Sequence, residues 1–86
     1  MRFQGSVIKE QGVTFGIIVV KPHVLNNPSA RTEMQLFGVR AFGNMPIVLM
    51  AQNSTGRATY WGRSDLTKFL SRVPLGCIPW REYQIS

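Results

Sequence analysis

Ten Lys and Arg, four Asp and Glu, one cysteine and one histidine are the chain's means for ionic or nucleophilic chemistry. Nucleophilic catalysis needs a nucleophile with a base beside it. Here that pair is Cys77 and His23, both read as loop residues far apart in sequence, with no third residue marked out to orient them. Cys77 reads more simply as a small buried hydrophobe and His23 as a loop histidine, so a small enzyme with a cysteine nucleophile is the least favoured function. Paired-carboxylate catalysis would have to draw on Glu10, Glu33, Asp65 and Glu82. Glu10 falls in a turn, Asp65 suits the positive end of a helix dipole, and Glu33 and Glu82 have basic neighbours. No Walker loop, G-x-G-x-x-G or H-E-x-x-H pattern occurs. One Cys and one His cannot assemble a zinc set. No metal, no cofactor and action by binding rather than catalysis are the expectations.

The binding chemistry on offer is cationic and aromatic. Tyr60 and Trp61 lie in a short apolar stretch between Arg57 and Arg63. An aromatic on an open sheet face between guanidiniums stacks and neutralises single-stranded nucleic acid. Because neighbouring side chains alternate, only one of Tyr60 and Trp61 can face out of a sheet. Lys68 and Arg72, at i and i+4 on the polar side of a helix, would extend that basic surface. The plainer reading is that one aromatic is core, the other covers the sheet or an interface, and the helix pair is a solvated face. Trp80, after Pro79, reads as the lid of the core or as an anchor in a partner's pocket.

The net charge of +6 and isoelectric point near 10.5 favour anionic partners. The charge is evenly spread, however, with no two basic residues adjacent and no basic tail. With 86 residues and 44% hydrophobic content, the chain reads as one globular domain spanning 1–86. The first residues, Arg2-Phe3-Gln4-Gly5-Ser6, do not read as a secretory leader. The apolar run Ile17 to Val20 is far short of the roughly 20 residues that span a bilayer. A lone thiol without an export signal points to the cytoplasm, and no membrane partner is expected.

The elements that must position these residues follow from periodicity. Phe3 to Lys9 alternates as a strand. Gly12 supplies a turn, and Val13 to Val20 returns as a second strand. Asn27 is a helix cap with Pro28 at the first helical position. The helix runs from Ser29 to Phe42 with Ala30, Met34, Phe37 and Ala41 on one face, despite Gly38 in its middle. Pro46 to Gln52 is a third strand, Asn53-Ser54-Thr55-Gly56 a turn, and Ala58 to Trp61 a fourth strand. Ser64 reads as the cap of a last helix with Leu66, Phe69, Leu70 and Val73 on one stripe, stopped by Pro74. The segment from Leu75 to Ser86 reads as an extended arm, with Tyr83 to Ile85 as a candidate edge strand. The expected fold is therefore α+β, ββαββα: a largely antiparallel four-stranded sheet, two helices and an extended C-terminal arm.

The middle strands carry a functional implication. Val13 to Val20 and Pro46 to Gln52 are apolar on both faces, with Ile18 and Val20 opposite the odd-numbered side chains. Each such side chain left in water forfeits roughly 1.5–3 kcal/mol. Three covers would serve: the C-terminal arm with Ile78 and Trp80, one helix on each face, or a second copy of the chain. The preferred expectation is the second copy. It makes the protein a homodimeric interaction or assembly domain with Ile18, Val20, Trp61 and Trp80 at the interface. Nucleic-acid binding through Arg57, Tyr60, Trp61, Arg63, Lys68 and Arg72 is the alternative.

Overall fold

The computed structural model describes residues 2–85. β1 (Arg2–Glu10) and β2 (Val13–Val19) form an antiparallel hairpin in the register Val7 opposite Gly16. Gln11 and Gly12 both take positive φ, at 50° and 79°. That is the pattern of the two-residue turn whose twist matches the strands, and Gly12 adopts it without strain. A one-turn helix, α1 (Pro22–Leu25), precedes α2 (Pro28–Phe42). The Asn27 side chain caps α2 as its sequence implied, accepting hydrogen bonds from the Ser29 and Ala30 amides at 3.0 and 3.2 Å.

β3 (Ile47–Gln52) and β4 (Ala58–Trp61) make a second hairpin. The Asn53 side chain organises its turn, accepting from the Thr55 and Arg57 amides. α3 (Ser64–Leu70), a 3₁₀ turn at Leu75–Cys77 and β5 (Arg81–Gln84) complete the described chain. The strands lie in the order β4-β3-β2-β1-β5.

The α+β class is as the sequence implied, but the details differ from the expected four antiparallel strands and two helices. The edge strand expected at Tyr83 to Ile85 forms, but it begins two residues earlier and ends at Gln84. Arg81–Gln84 pairs with β1 as a fifth strand, and the Tyr83 ring stacks on Phe3 at 5.3 Å. Ser86, the end of the expected arm, lies outside the described residues. The sheet is mixed: β2 and β3 run parallel because the chain crosses over through α1 and α2 between them. α1 is a further helix in what read as a loop. Ser64 is not the cap of α3. It is the first helical residue, and the cap position belongs to Arg63, which makes no side-chain cap bond. α3 ends at Leu70, where the amides of Ser71, Arg72 and Val73 turn back onto the carbonyls of Thr67, Phe69 and Leu70.

Helices cover both faces of the sheet. On one face α2 and α1 pack over Ile18, Ile47 and Leu49, with Phe3, Met34, Phe37 and Trp61 around them. On the other, α3 and the C-terminal segment pack over Phe15, Ile17, Val48 and Met50, with Leu66, Leu70 and Ile78 completing the core. Gly38 brings α2 close to the sheet: a Cβ there would stand 2.7 Å from Ile47 Cγ2 and 2.8 Å from Ile18 Cδ1. Its cost in helix propensity, about 1 kcal/mol, is offset by that approach.

The second apolar face is thus sheltered within one chain, by the arrangement with one helix on each side. Ile18 is 0% exposed and has no surface to offer a partner; Val20 is half-buried against the same cluster. The reason for expecting a second copy, an uncovered apolar face, is removed.

Candidate functional site

β4 sends its two aromatics to opposite sides of the sheet, as alternation requires. Tyr60 faces α3 and joins the larger core; Trp61 faces α2. Neither stands on an open sheet face. The cation over Trp61 is Arg31, not Arg57 or Arg63, with its Cζ 4.7 Å from the ring centroid. Arg31 is fixed there by donating to the Leu25 carbonyl at 3.0 Å. Arg63 turns instead to Asp65, donating to its carboxylate at 2.9 and 2.7 Å. That hydrogen bond holds the Asp65 carboxyl below its usual range and raises the Arg63 guanidinium. Trp80 is half-buried and packs on the core of its own chain, its indole N–H donating to the Leu75 carbonyl at 3.0 Å.

Of the six residues expected on a basic aromatic surface, Arg57 and Tyr60 are brought to one hollow, and Arg72 adjoins it through Ser71. Trp61 and Arg63 belong elsewhere, and Lys68 is an exposed residue of α3.

Three hollows gather at one end of the sheet. Val19 closes β2 there, Gln52 closes β3, and Ala58 opens β4. The largest, about 370 Å³, is lined by Val19 and Met50 from the sheet, Leu75 and Trp80 from the C-terminal segment, and the side chains of Gln4 and Gln52. The second, about 340 Å³, shares Leu75 as a wall and is lined by Arg57, Ala58, Tyr60, Leu70 and Ser71. The third, about 130 Å³, lies on the other face between α1 and the β3–β4 turn, and shares Gln52 with the first. β2 and β3, the parallel pair, both end there.

The C-terminal segment builds this groove. Ser6, nearly fully buried on β1, donates its hydroxyl to the Pro79 carbonyl at 3.1 Å and pins the segment to the sheet. Leu75 and Trp80 are thereby held over the ends of β2 and β3. No periodic signal marks them for this role, since they lie in a turn and a short loop. A burial argument at Ser6 was the available clue: a small polar residue amid a strand's inward-facing side chains needs a partner.

The groove's electrostatics lean cationic. Lys21 follows β2, Arg57 is exposed and lines the second hollow, and Arg72 is exposed between two of its lining residues, Ser71 and Val73. Among the described residues, no carboxylate lies within 4.0 Å of any of these three. Glu10 and Asp65 sit at the opposite end, at the close of β1 and the start of α3. Glu82 is 3.8 Å from Arg2. The Tyr60 hydroxyl is buried without a hydrogen-bond partner, and burial pushes its pKa up.

Cys77 is exposed in the 3₁₀ turn, not the buried hydrophobe its sequence suggested. His23 lies on α1, across the sheet from that turn. No group of three or more His, Cys, Asp or Glu placed to hold a metal occurs among the described residues. No helix among them is long and apolar enough to cross a membrane. Comparison with protein-family models, curated proteins and solved structures finds no match for the chain.

Proposed function

We propose that the chain is a protein-interaction domain that receives a segment of a partner polypeptide in the groove at the carboxyl ends of β2 and β3. The observation that carries this reading is that three hollows lie at that one end, with Arg57 lining one of them and having no carboxylate within 4.0 Å among the described residues. Walls that mix apolar side chains with polar groups give a segment both surface to bury and hydrogen-bond partners. The groove's cationic lean selects for acidic segments, because complementary potentials steer encounter and suppress wrong partners. On this reading the groove takes a different protein, since α2 covers the apolar face that was the argument for a second copy. A reducing compartment such as the cytoplasm suits the exposed thiol of Cys77.

Fluorescence anisotropy with labelled acidic and basic peptide pools, beside a single-stranded oligonucleotide, tests the reading. Acidic peptides are expected to bind and basic ones not. Binding of the oligonucleotide alone, falling steeply with salt, would transfer the groove to nucleic acid.

A further inference from the structure

We infer that the outer edge of β4 takes an acidic, extended segment of the partner polypeptide as an added strand. The inference rests on the protein-interaction reading and specifies how the segment is held.

β4 is an outermost strand of the sheet, paired on one side only, with β3. The hydrogen-bond pattern tells which of its backbone groups are engaged there. The Gly16 and Val20 amides donate to the carbonyls of Pro46 and Met50, so the even-numbered residues of the β3 segment face β2 and the odd-numbered ones face β4. Just beyond β3 the Asn53 amide accordingly donates to the Arg57 carbonyl at 3.0 Å. Ala51 stands opposite Thr59 and Leu49 opposite Trp61, and alternation along the antiparallel pair gives the next bonds to Thr59 and Trp61. The N–H and C=O groups of Ala58 and Tyr60 therefore point away from the sheet, and among the described residues they have no hydrogen-bond partner. Set two residues apart, these donors and acceptors repeat at roughly 7 Å, a spacing that another extended backbone matches and a helix does not.

The opposite edge of the sheet is guarded. β5 carries Arg81 and Glu82, both exposed, and charge on an edge is a means by which proteins discourage strand addition. β4 reads Ala58-Thr59-Tyr60-Trp61, with neither charge nor proline. It keeps the pairing that β5 discourages.

The charge of the molecule decides the occupant. A second copy would bring its own +6 to this edge, with Arg57 and Arg63 flanking β4, whereas an acidic segment is drawn to it. Strand addition draws affinity from main-chain bonds, and the added side chains alternate between the two faces. One set falls beside Ala58 and Tyr60, next to the hollow that Leu70, Ser71 and Leu75 also line. The other set continues the face of Thr59 and Trp61, where β-branched and aromatic neighbours pair well across strands.

The test uses the full chain and a labelled heptapeptide, alternating valine and threonine between terminal aspartates, with binding read by fluorescence anisotropy. Methyl groups on alternate peptide nitrogens leave one backbone edge of the peptide clear; the same number on consecutive central nitrogens obstructs both. The first pattern is expected to bind within about threefold of the parent peptide and the second at least about tenfold more weakly. Ala58→Pro removes an outward N–H and no ladder bond, at the first residue of a strand, where proline is tolerated. It is expected to weaken the parent peptide about tenfold while leaving the thermal midpoint near that of the unaltered chain. Hydrogen exchange gives a readout free of any variant. On binding, exchange at the Ala58 and Tyr60 amides is expected to slow, with Thr59 and Trp61, already bonded to β3, unchanged. Equal weakening by the two methylation patterns, or binding without slowed exchange at Ala58 and Tyr60, would overturn the added strand while leaving the groove as a peptide site. Absence of binding by any acidic peptide would overturn both. Self-association of the chain that Ala58→Pro abolishes would give the edge to a second copy, and the inference falls.

Discussion

Replacing Ile18 by alanine removes three carbon atoms from a side chain that is 0% exposed beneath α2. At about 0.8 kcal/mol for each buried methylene, the lost transfer energy is about 2.5 kcal/mol. A cavity term adds to it, because the neighbours close only in part. Ile47 is β-branched and stiff, and Gly38 has no side chain to move inward, so little collapse is available there. A loss of about 3–4 kcal/mol is expected, a large share of the roughly 4–13 kcal/mol that a domain of this size holds. The assay is urea denaturation followed by the fluorescence of Trp61 and Trp80, repeated over a hundredfold range of protein concentration. The midpoint is expected to fall strongly and to be independent of concentration. Val7→Ala, at a residue 39% exposed, is the control and is expected to cost less than about 1 kcal/mol. A cost at Ile18 no larger than at Val7, or a midpoint that climbs with concentration, would refute the reasoning. The first would mean that α2 does not shelter this face, and the second that association with another copy of the chain contributes to stability.

Gly38→Ala gains about 1 kcal/mol of helix propensity but forces a methyl to within 2.7 Å of Ile47 Cγ2, on a stiff side chain. Overpacking of that kind costs about 1–3 kcal/mol, so a net loss and a lower thermal midpoint are expected. Asn27→Ala removes the acceptor for the Ser29 and Ala30 amides. It is expected to cost about 0.5–2 kcal/mol by the same urea assay. Tyr60 has its pKa raised by burial, so the stability linked to its proton is complete below the unfolded value, about 10, and is lost as pH rises through the folded value. Thermal melts across the alkaline range are expected to show a fall above about pH 10 that Tyr60→Phe diminishes.

Local chemistry made much of this fold legible. Asn27-Pro28 announces its helix, Gly12 and the Asn53–Gly56 run announce their hairpins, and alternation along β4 sends Tyr60 and Trp61 to opposite faces. The two-faced character of β2 and β3 was equally plain, and it correctly demanded a cover on both sides. Which cover was not legible, because period 2 tells which side chains need shelter and not which element provides it. The crossover through α1 and α2 carries one helix to one face and leaves the other for α3, a property of chain path rather than of any residue's type. The fifth strand was legible only in part, as an edge strand at Tyr83 to Ile85, and its start at Arg81 was not. Arg81–Gln84 is polar and short, and it becomes a strand because β1 has a free edge and Phe3 offers a ring to Tyr83. The site shared this fate. Arg57, Tyr60 and Arg72 stood out as chemistry, but the wall that joins them into a groove is Leu75. Its position depends on the bond between Ser6 and Pro79, near opposite ends of the chain. The pairing of Trp61 with Arg31 is long-range in the same sense, and no spacing rule reaches it.

The most direct measurement is an amide chemical-shift titration of the isotope-labelled protein with the acidic peptides. The expected result is a set of shifts confined to the strand ends and the C-terminal segment: Val19, Gln52, Arg57, Tyr60, Ser71 and Leu75, with Gln4 and the Trp80 indole following. Shifts centred instead on the outer side of α2, at the exposed Leu36 and Val39, would contradict it and move the partner to the opposite face of the molecule.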